Sequence, residues 1–352
     1  MAERILIVAP AWVGDAILSE PLIAMLREPL GEPIVDVLAP PWCAPVYERV
    51  RGIRNIIENP LPHGELGLAR RSSLGKSLRN NGYTRAFILP NSFKSALIPW
   101  FARIPRRTGY ATEARRVLLT DARHADWRAY PRLVDRFVAL AATPGQWVPT
   151  ASAPTLVPNA ANGSKAIRAL GLATRRPIAI LCPGAEFGPA KRWPTEHFVA
   201  LARRFIDSGH AVWLIGSPND RPAADPVAAA VPEVRNVAGR TDLGTAIDLL
   251  ALASVVVSND SGLMHAAAAV GRPLVAMFGS SSPQYTPPLS PLARVAKIEI
   301  ACSPCFQRDC PLGHFKCMRE LSPNVVYDLA RAALGERSAD EARGERADRV
   351  DR

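Results

Sequence analysis

Four stretches of this 352-residue chain carry side chains that could do chemistry on a phosphorylated substrate. In Pro10-Ala11-Trp12-Val13-Gly14-Asp15, an apolar run (Arg4–Ala9) gives way to a helix-forming one. Gly14 lets the backbone approach a ligand there, and Asp15 could project a carboxylate from the strand's end as a general base. The plainer role for Asp15 is to cap the helix that follows. A helix N-terminus would lower its pKa, and a weak base suits a dissociative reaction at a sugar carbon, whose acceptor hydroxyl gives up its proton late. In Cys182–Pro194, Gly184 opens a loop that ends at Lys191, whose ammonium could neutralise a diphosphate leaving group, or simply be solvated. In Val255–Gly279 an apolar strand runs through Asp260-Ser261-Gly262 into a helix that carries His265 one turn in. Such a corner offers backbone N–H groups and the positive end of a helix dipole to a phosphate, with His265 supporting the loop or touching the phosphate. Asp220, after Gly216-Ser217-Pro218-Asn219, is placed for a ribose hydroxyl or for capping the next helix.

The elements that must position these residues alternate strand with helix. Strands are expected at Arg4–Ala9, Ile34–Leu38 and Arg85–Leu89, and again at Pro177–Cys182, Ala211–Ile215 and Val255–Val257. Helices are expected at Ala16–Leu26, Leu74–Leu78, Ser95–Phe101, Leu133–Ala142, Glu196–Asp207, Asp242–Ala253 and Leu263–Val270, with a last one from Pro323 through Ala333. Thr143–Ser164, rich in Pro, Ala, Thr and Asn and without periodicity, reads as a linker. The fold class is therefore α/β: two Rossmann-like, doubly wound domains, 1–155 and 156–335, facing across a cleft, with a charged tail at 336–352 expected to be disordered.

The sequence contains no GxxxxGK[ST], no GxGxxG after its first strand and no Asp-x-Asp pair. A Walker loop and the common dinucleotide fingerprint are excluded, and a nucleotide-sugar handled by lysine and helix ends without a metal is favoured. No apolar run approaches the roughly 18–20 residues of a membrane span, so a cytoplasmic protein is expected. Lys and Arg exceed Asp and Glu by 11, and between Leu66 and Arg136 stand 15 basic against 4 acidic residues. That field fits a polyanionic partner: nucleic acid, an anionic membrane surface or a phosphorylated glycolipid. Cys302-x2-Cys305-x4-Cys310-x6-Cys317, with His314 nearby, is dense enough for a structural metal, although its spacing matches no familiar zinc module.

Taken together, PAWVGD, LPNSFKSAL at Leu89–Leu97, CPGAEFGPAKRWP at Cys182–Pro194 and SNDSGLMH at Ser258–His265 resemble the ADP-heptose:lipopolysaccharide heptosyltransferases, nearest to the branch that adds the second heptose. The resemblance spans most of residues 4–335. It implies the GT-B fold and inverting, metal-independent transfer of L-glycero-D-manno-heptose from ADP-heptose to the first heptose of the inner core. By motif, Asp15 matches the family's base, Lys191 its diphosphate-binding lysine, and Asp260-Ser261-Gly262 with His265 the donor loop; Asp220 matches less securely. No family role reaches the cysteines, and no cofactor is implied. The acceptor would be of the heptosyl-Kdo2-lipid A type, with Lys94, Arg106, Arg107, Arg115 and Arg116 as its candidate contacts, and the enzyme would touch the anionic inner face of the inner membrane. Two other readings keep the fold: another sugar nucleotide or acceptor, as in the transferase that adds the first heptose, or an epimerase reaction. A third makes the basic stretch a nucleic-acid surface, but RNA-binding signatures are lacking and no nucleic-acid partner is expected.

Overall fold

Strands of unbroken apolar residues, unable to leave either face in water, decide the architecture. In a computed structural model that describes residues 3–27, 33–62, 64–143, 146, 148 and 150–335, the chain forms two compact units, Met1–Val157 and Pro158–Arg352. In the first, the strands are β1 (Arg4–Val8), β2 (Ile34–Ala39), β3 (Ile53–Glu58), β4 (Arg85–Ile88), β5 (Arg106–Tyr110) and β6 (Asp121–Arg123). They make one parallel sheet in the order β3-β2-β1-β4-β5-β6.

The second unit repeats the plan with β7 (Ile178–Cys182), β8 (Ala211–Leu214), β9 (Arg235–Asn236), β10 (Val255–Asn259), β11 (Leu274–Met277) and β12 (Ala293–Ala296). Its parallel order is β12-β11-β10-β7-β8-β9. Both sheets are doubly wound and reverse direction between the first and fourth strands, β1/β4 and β7/β10. Loops part there at the carboxyl edge and leave room for a ligand. Every residue of β7 and β10 is buried, and Phe198, Leu201 and Phe205 from the helix Thr195–Asp207 pack with Leu181, Leu214, Val257 and Met277.

Two boundaries differ from the sequence reading. The helix expected at Ala16–Leu26 is two helices, Val13–Leu18 and Glu20–Arg27. Pro21 has no N–H to continue the ladder, and the Ser19 hydroxyl bonds back to the Ala16 carbonyl at 2.7 Å. The linker expected at Thr143–Ser164 is structured over much of its length. Thr155 N–H donates to Glu20 (3.1 Å) and Val157 N–H to the Arg49 carbonyl (2.8 Å). Asn159 then caps the helix Ala160–Leu170 and donates its own N–H to Asp248 at 2.8 Å. The tail expected to be disordered, 336–352, lies outside the described residues.

Candidate active site

The carboxyl ends of β7 and β10 bring together what the sequence holds almost seventy residues apart. β7 runs into the 183–194 loop and β10 into the helix Gly262–Ala269. Asn259, the last residue of β10, ties the two. Its amide donates to the Pro183 carbonyl (2.8 Å) and the Gly184 carbonyl (3.3 Å), and its oxygen accepts from Trp193 N–H at 3.1 Å. With both ends of the loop fastened, Lys191 turns back over the sheet edge, and its Nζ donates to Asp260 Oδ2 at 2.6 Å. Asp260 is 5% exposed and Lys191 16%. Ser281 donates to the same Asp260 oxygen, and the Lys191 ammonium lies 4.9 Å from the Phe187 ring centre.

The helix beyond presents its first turn here. Ser261, its N-cap, makes no capping bond and sits 3.2 Å from the Ser258 hydroxyl. First-turn N–H groups have no partner within a helix, so this terminus suits an anion. His265 is buried behind it, and its pKa is pushed down to about 4, chiefly by desolvation; Asp260 opposes the shift and Lys191 adds to it. The imidazole is neutral at ordinary pH and adds no charge to the loop.

Asp220 reaches the same edge from β8. Its Oδ2 accepts from Ser217 N–H (2.8 Å) and the Ser217 hydroxyl (2.9 Å) in a capping box. Its Oδ1 is buried with no protein partner. Gly184 is what admits that carboxylate, because a Cβ there would lie 1.9 Å from Oδ1. Capping thus occupies one oxygen and leaves the other unbonded.

In the first unit, Asp15 is the third residue of the helix Val13–Leu18, after Trp12 as N-cap and Gly14. It therefore lies inside the first turn and is not the cap. Burial, with the Asp15 charge as a lesser cause, raises the Cys43 thiol to about 12 and lifts the Tyr47 phenol as well, so both stay neutral beside the carboxylate.

Among the acceptor candidates, Lys94 (half-buried) and Arg116 (exposed) follow the carboxyl ends of β4 and β5, the sheet edge that also carries Asp15. The other three are corrected by the structure. Arg106 and Arg107 begin β5, in register with Arg85 and Ala86, which places them toward the opposite edge. Arg107 also spends its guanidinium on the Leu118 and Ile104 carbonyls. Arg115 is fully buried and bonds Tyr110 O (2.7 Å), Ser95 Oγ (3.0 Å), Asn91 Oδ1 (3.3 Å) and Pro90 O. It closes the β4 and β5 loops from within.

Cys302, Cys305, Cys310 and Cys317 line one cavity with His314 and Ser280. Among the described residues, however, no three His, Cys, Asp or Glu side chains are arranged to hold a metal ion. Cys310 accepts the Phe315 N–H at 3.4 Å, and Cys317 packs against Gly279. The segment braces the site instead. Phe306 N–H donates to Ser280 O (2.6 Å), Ser303 Oγ to Gly279 O (2.7 Å), and Ala190 N–H to Arg308 O (3.1 Å). These bonds hold the residues next to Ser281 and Lys191. Sequence reasoning missed Asn259, Ser281 and this bracing, since nothing in a lone Asn, a Ser triplet or an irregular loop announces its partner.

Residues 71–316 match glycosyltransferase family 9 (heptosyltransferase). Over the whole chain, lipopolysaccharide heptosyltransferase 2 of Salmonella typhimurium is 42% identical, covering 95% of this chain and 99% of its own. Lipooligosaccharide heptosyltransferase 2 of Haemophilus influenzae is 45% identical, covering 94% and 99%. The structure of Escherichia coli ADP-heptose LPS heptosyltransferase II is similar with a TM-score of 0.85 and 40% identity, over 95% of this chain and 99% of that one. Two Rossmann-like units in tandem, of the GT-B class, are thus common to this chain and that structure. On sequence and fold together, the chain belongs to glycosyltransferase family 9, the heptosyltransferases.

Proposed function

We propose that the chain transfers L-glycero-D-manno-heptose from ADP-heptose to the first heptose of the lipopolysaccharide inner core, as a heptosyltransferase II. The near full-length likeness to heptosyltransferase 2 proteins of two genera supports this substrate pair. The observation that carries it is the Lys191–Asp260 pair, 2.6 Å apart at the β7/β10 reversal beside a helix N-terminus.

In this reading Lys191 and the first-turn N–H groups of Gly262–Ala269 hold the diphosphate, Asp260 and Ser281 orient the ammonium, and Asp220 Oδ1 accepts from a ribose hydroxyl. Asp15 accepts the proton of the attacking hydroxyl as that oxygen bonds the anomeric carbon from the face opposite ADP. The bond from that carbon to the diphosphate oxygen breaks with its electron pair leaving on ADP. Lys191 stabilises the charge that develops, and configuration inverts. Lys94 and Arg116, which follow the carboxyl ends of β4 and β5, contact the acceptor. The basic 66–136 stretch holds the enzyme at an anionic membrane surface; among the described residues no helix is long and apolar enough to cross a membrane.

The test is ADP release from ADP-heptose, with and without acceptor. Release that needs a monoheptosylated core, ignores a heptose-free core and persists in chelator is expected. Release that goes equally well to the heptose-free core would reassign the acceptor.

A further inference from the structure

Two tryptophans are partly exposed on loops near the proposed base: Trp12 is 40% exposed and Trp42 46%. Their loops leave the carboxyl ends of β1 and β2, neighbouring strands paired Val8 to Leu38. Trp42 is fixed, for its Nε1 donates to the Ala11 carbonyl at 2.8 Å, and the Cys43 thiol approaches the same carbonyl at 3.6 Å. Trp12 is the N-cap of the helix Val13–Leu18, its carbonyl taking the Ala16 N–H at 2.8 Å. With its only polar atom engaged, Trp42 has an indole face left to offer. Trp12 brings a second ring three residues from Asp15.

We infer that Trp12 and Trp42 form a stacking platform for a sugar ring of the acceptor. A pyranose carries C–H groups on its faces and hydroxyls at its rim. An indole takes the C–H face through dispersion and its π-cloud, and leaves the rim hydroxyls to polar groups. Asp15 needs an attacking hydroxyl within about 2.6–3.2 Å, which brings the acceptor ring to the loop that Trp12 and Trp42 frame. The ring already pinned by Ala11 loses little freedom on binding. The acceptor, and not the donor, is the occupant because the anion-holding groups, Lys191 and the Gly262–Ala269 terminus, belong to the other unit. This inference rests on the function proposed above.

The experiment varies acceptor and donor separately for Trp42→Ala, Trp42→Phe and Trp12→Ala, with the monoheptosylated core oligosaccharide freed of its acyl chains as acceptor. The expected result for Trp42→Ala is an acceptor KM raised about tenfold with donor KM and melting temperature unchanged, and Trp42→Phe retaining most of the affinity. Tryptophan emission of the wild type should change saturably with that oligosaccharide alone, and less so in the two Ala variants. An unchanged acceptor KM, a rise confined to the donor KM, or an effect seen only with the acylated acceptor would overturn the platform. A wild type whose emission responds to the oligosaccharide but which transfers nothing to it would instead sink the functional reading and leave the platform standing.

Discussion

At the residue scale, the proposed chemistry is divided between one carboxylate and one ammonium. Asp15→Asn keeps shape and removes the proton acceptor, so kcat should fall about 10²–10⁴-fold while ADP still binds as in the wild type; rates near normal would remove Asp15 from the chemistry. His265 makes a different claim, about stability. Its folded pKa of about 4 lies below that of an unfolded histidine near 6.5, so between those values the unfolded chain binds more protons than the folded one. The stability due to a neutral His265 is therefore complete above about pH 6.5 and is lost as pH falls toward 4. His197 and His210, also lowered by burial, act in the same direction. Urea denaturation across pH 4–7 should show this slope, and His265→Asn should flatten it; equal slopes would contradict the burial argument.

At the element scale, the strands that build the site were legible and those at the margins were not. β1, β7 and β10 read correctly because both their faces are covered, so their residues are apolar without alternation. β3, with Arg54, Asn55 and Glu58, and β5, which opens on Arg106-Arg107, are half-solvated and carry the residues of a loop. The same gap explains the arginines: charge counted along the chain placed Arg115 on the surface, whereas five carbonyl, amide and hydroxyl oxygens recruit it as an interior strut. Asp15, Lys191, Asp260 and His265 stood out as candidates because strand-to-helix corners punctuate a sequence with Gly, Pro, Ser and Asn. Their ties through Asn259 and Ser281 depend on contacts across the sheet. The Gly184–Asp220 contact gives a sharp check at this scale. Gly184→Ala would force Asp220 aside and should cost about 1–3 kcal/mol of stability and raise the donor KM. An alanine variant with wild-type donor KM would mean that Asp220 is not held there for the donor.

At the scale of the whole molecule, two copies of one strand order give two sheet reversals, and the candidate chemistry lies at the carboxyl edges of both: Asp15 after β1, Lys191 after β7, Asp260 after β10. The net charge of +11, concentrated in the first unit, is the basis of the proposed contact with an anionic surface. Sedimentation with anionic vesicles should be strong at low salt and fall several-fold by about 0.5 M salt, with neutral vesicles binding little; equal binding to both would remove the electrostatic role. The central claim, that Lys191 and the helix terminus beside Asp260 cradle a diphosphate, is tested most directly by calorimetric titration of ADP into the wild type and Lys191→Ala. A dissociation constant raised about 10²-fold in the variant, with its native circular dichroism retained, is the expected result; ADP bound as tightly without the ammonium would contradict it.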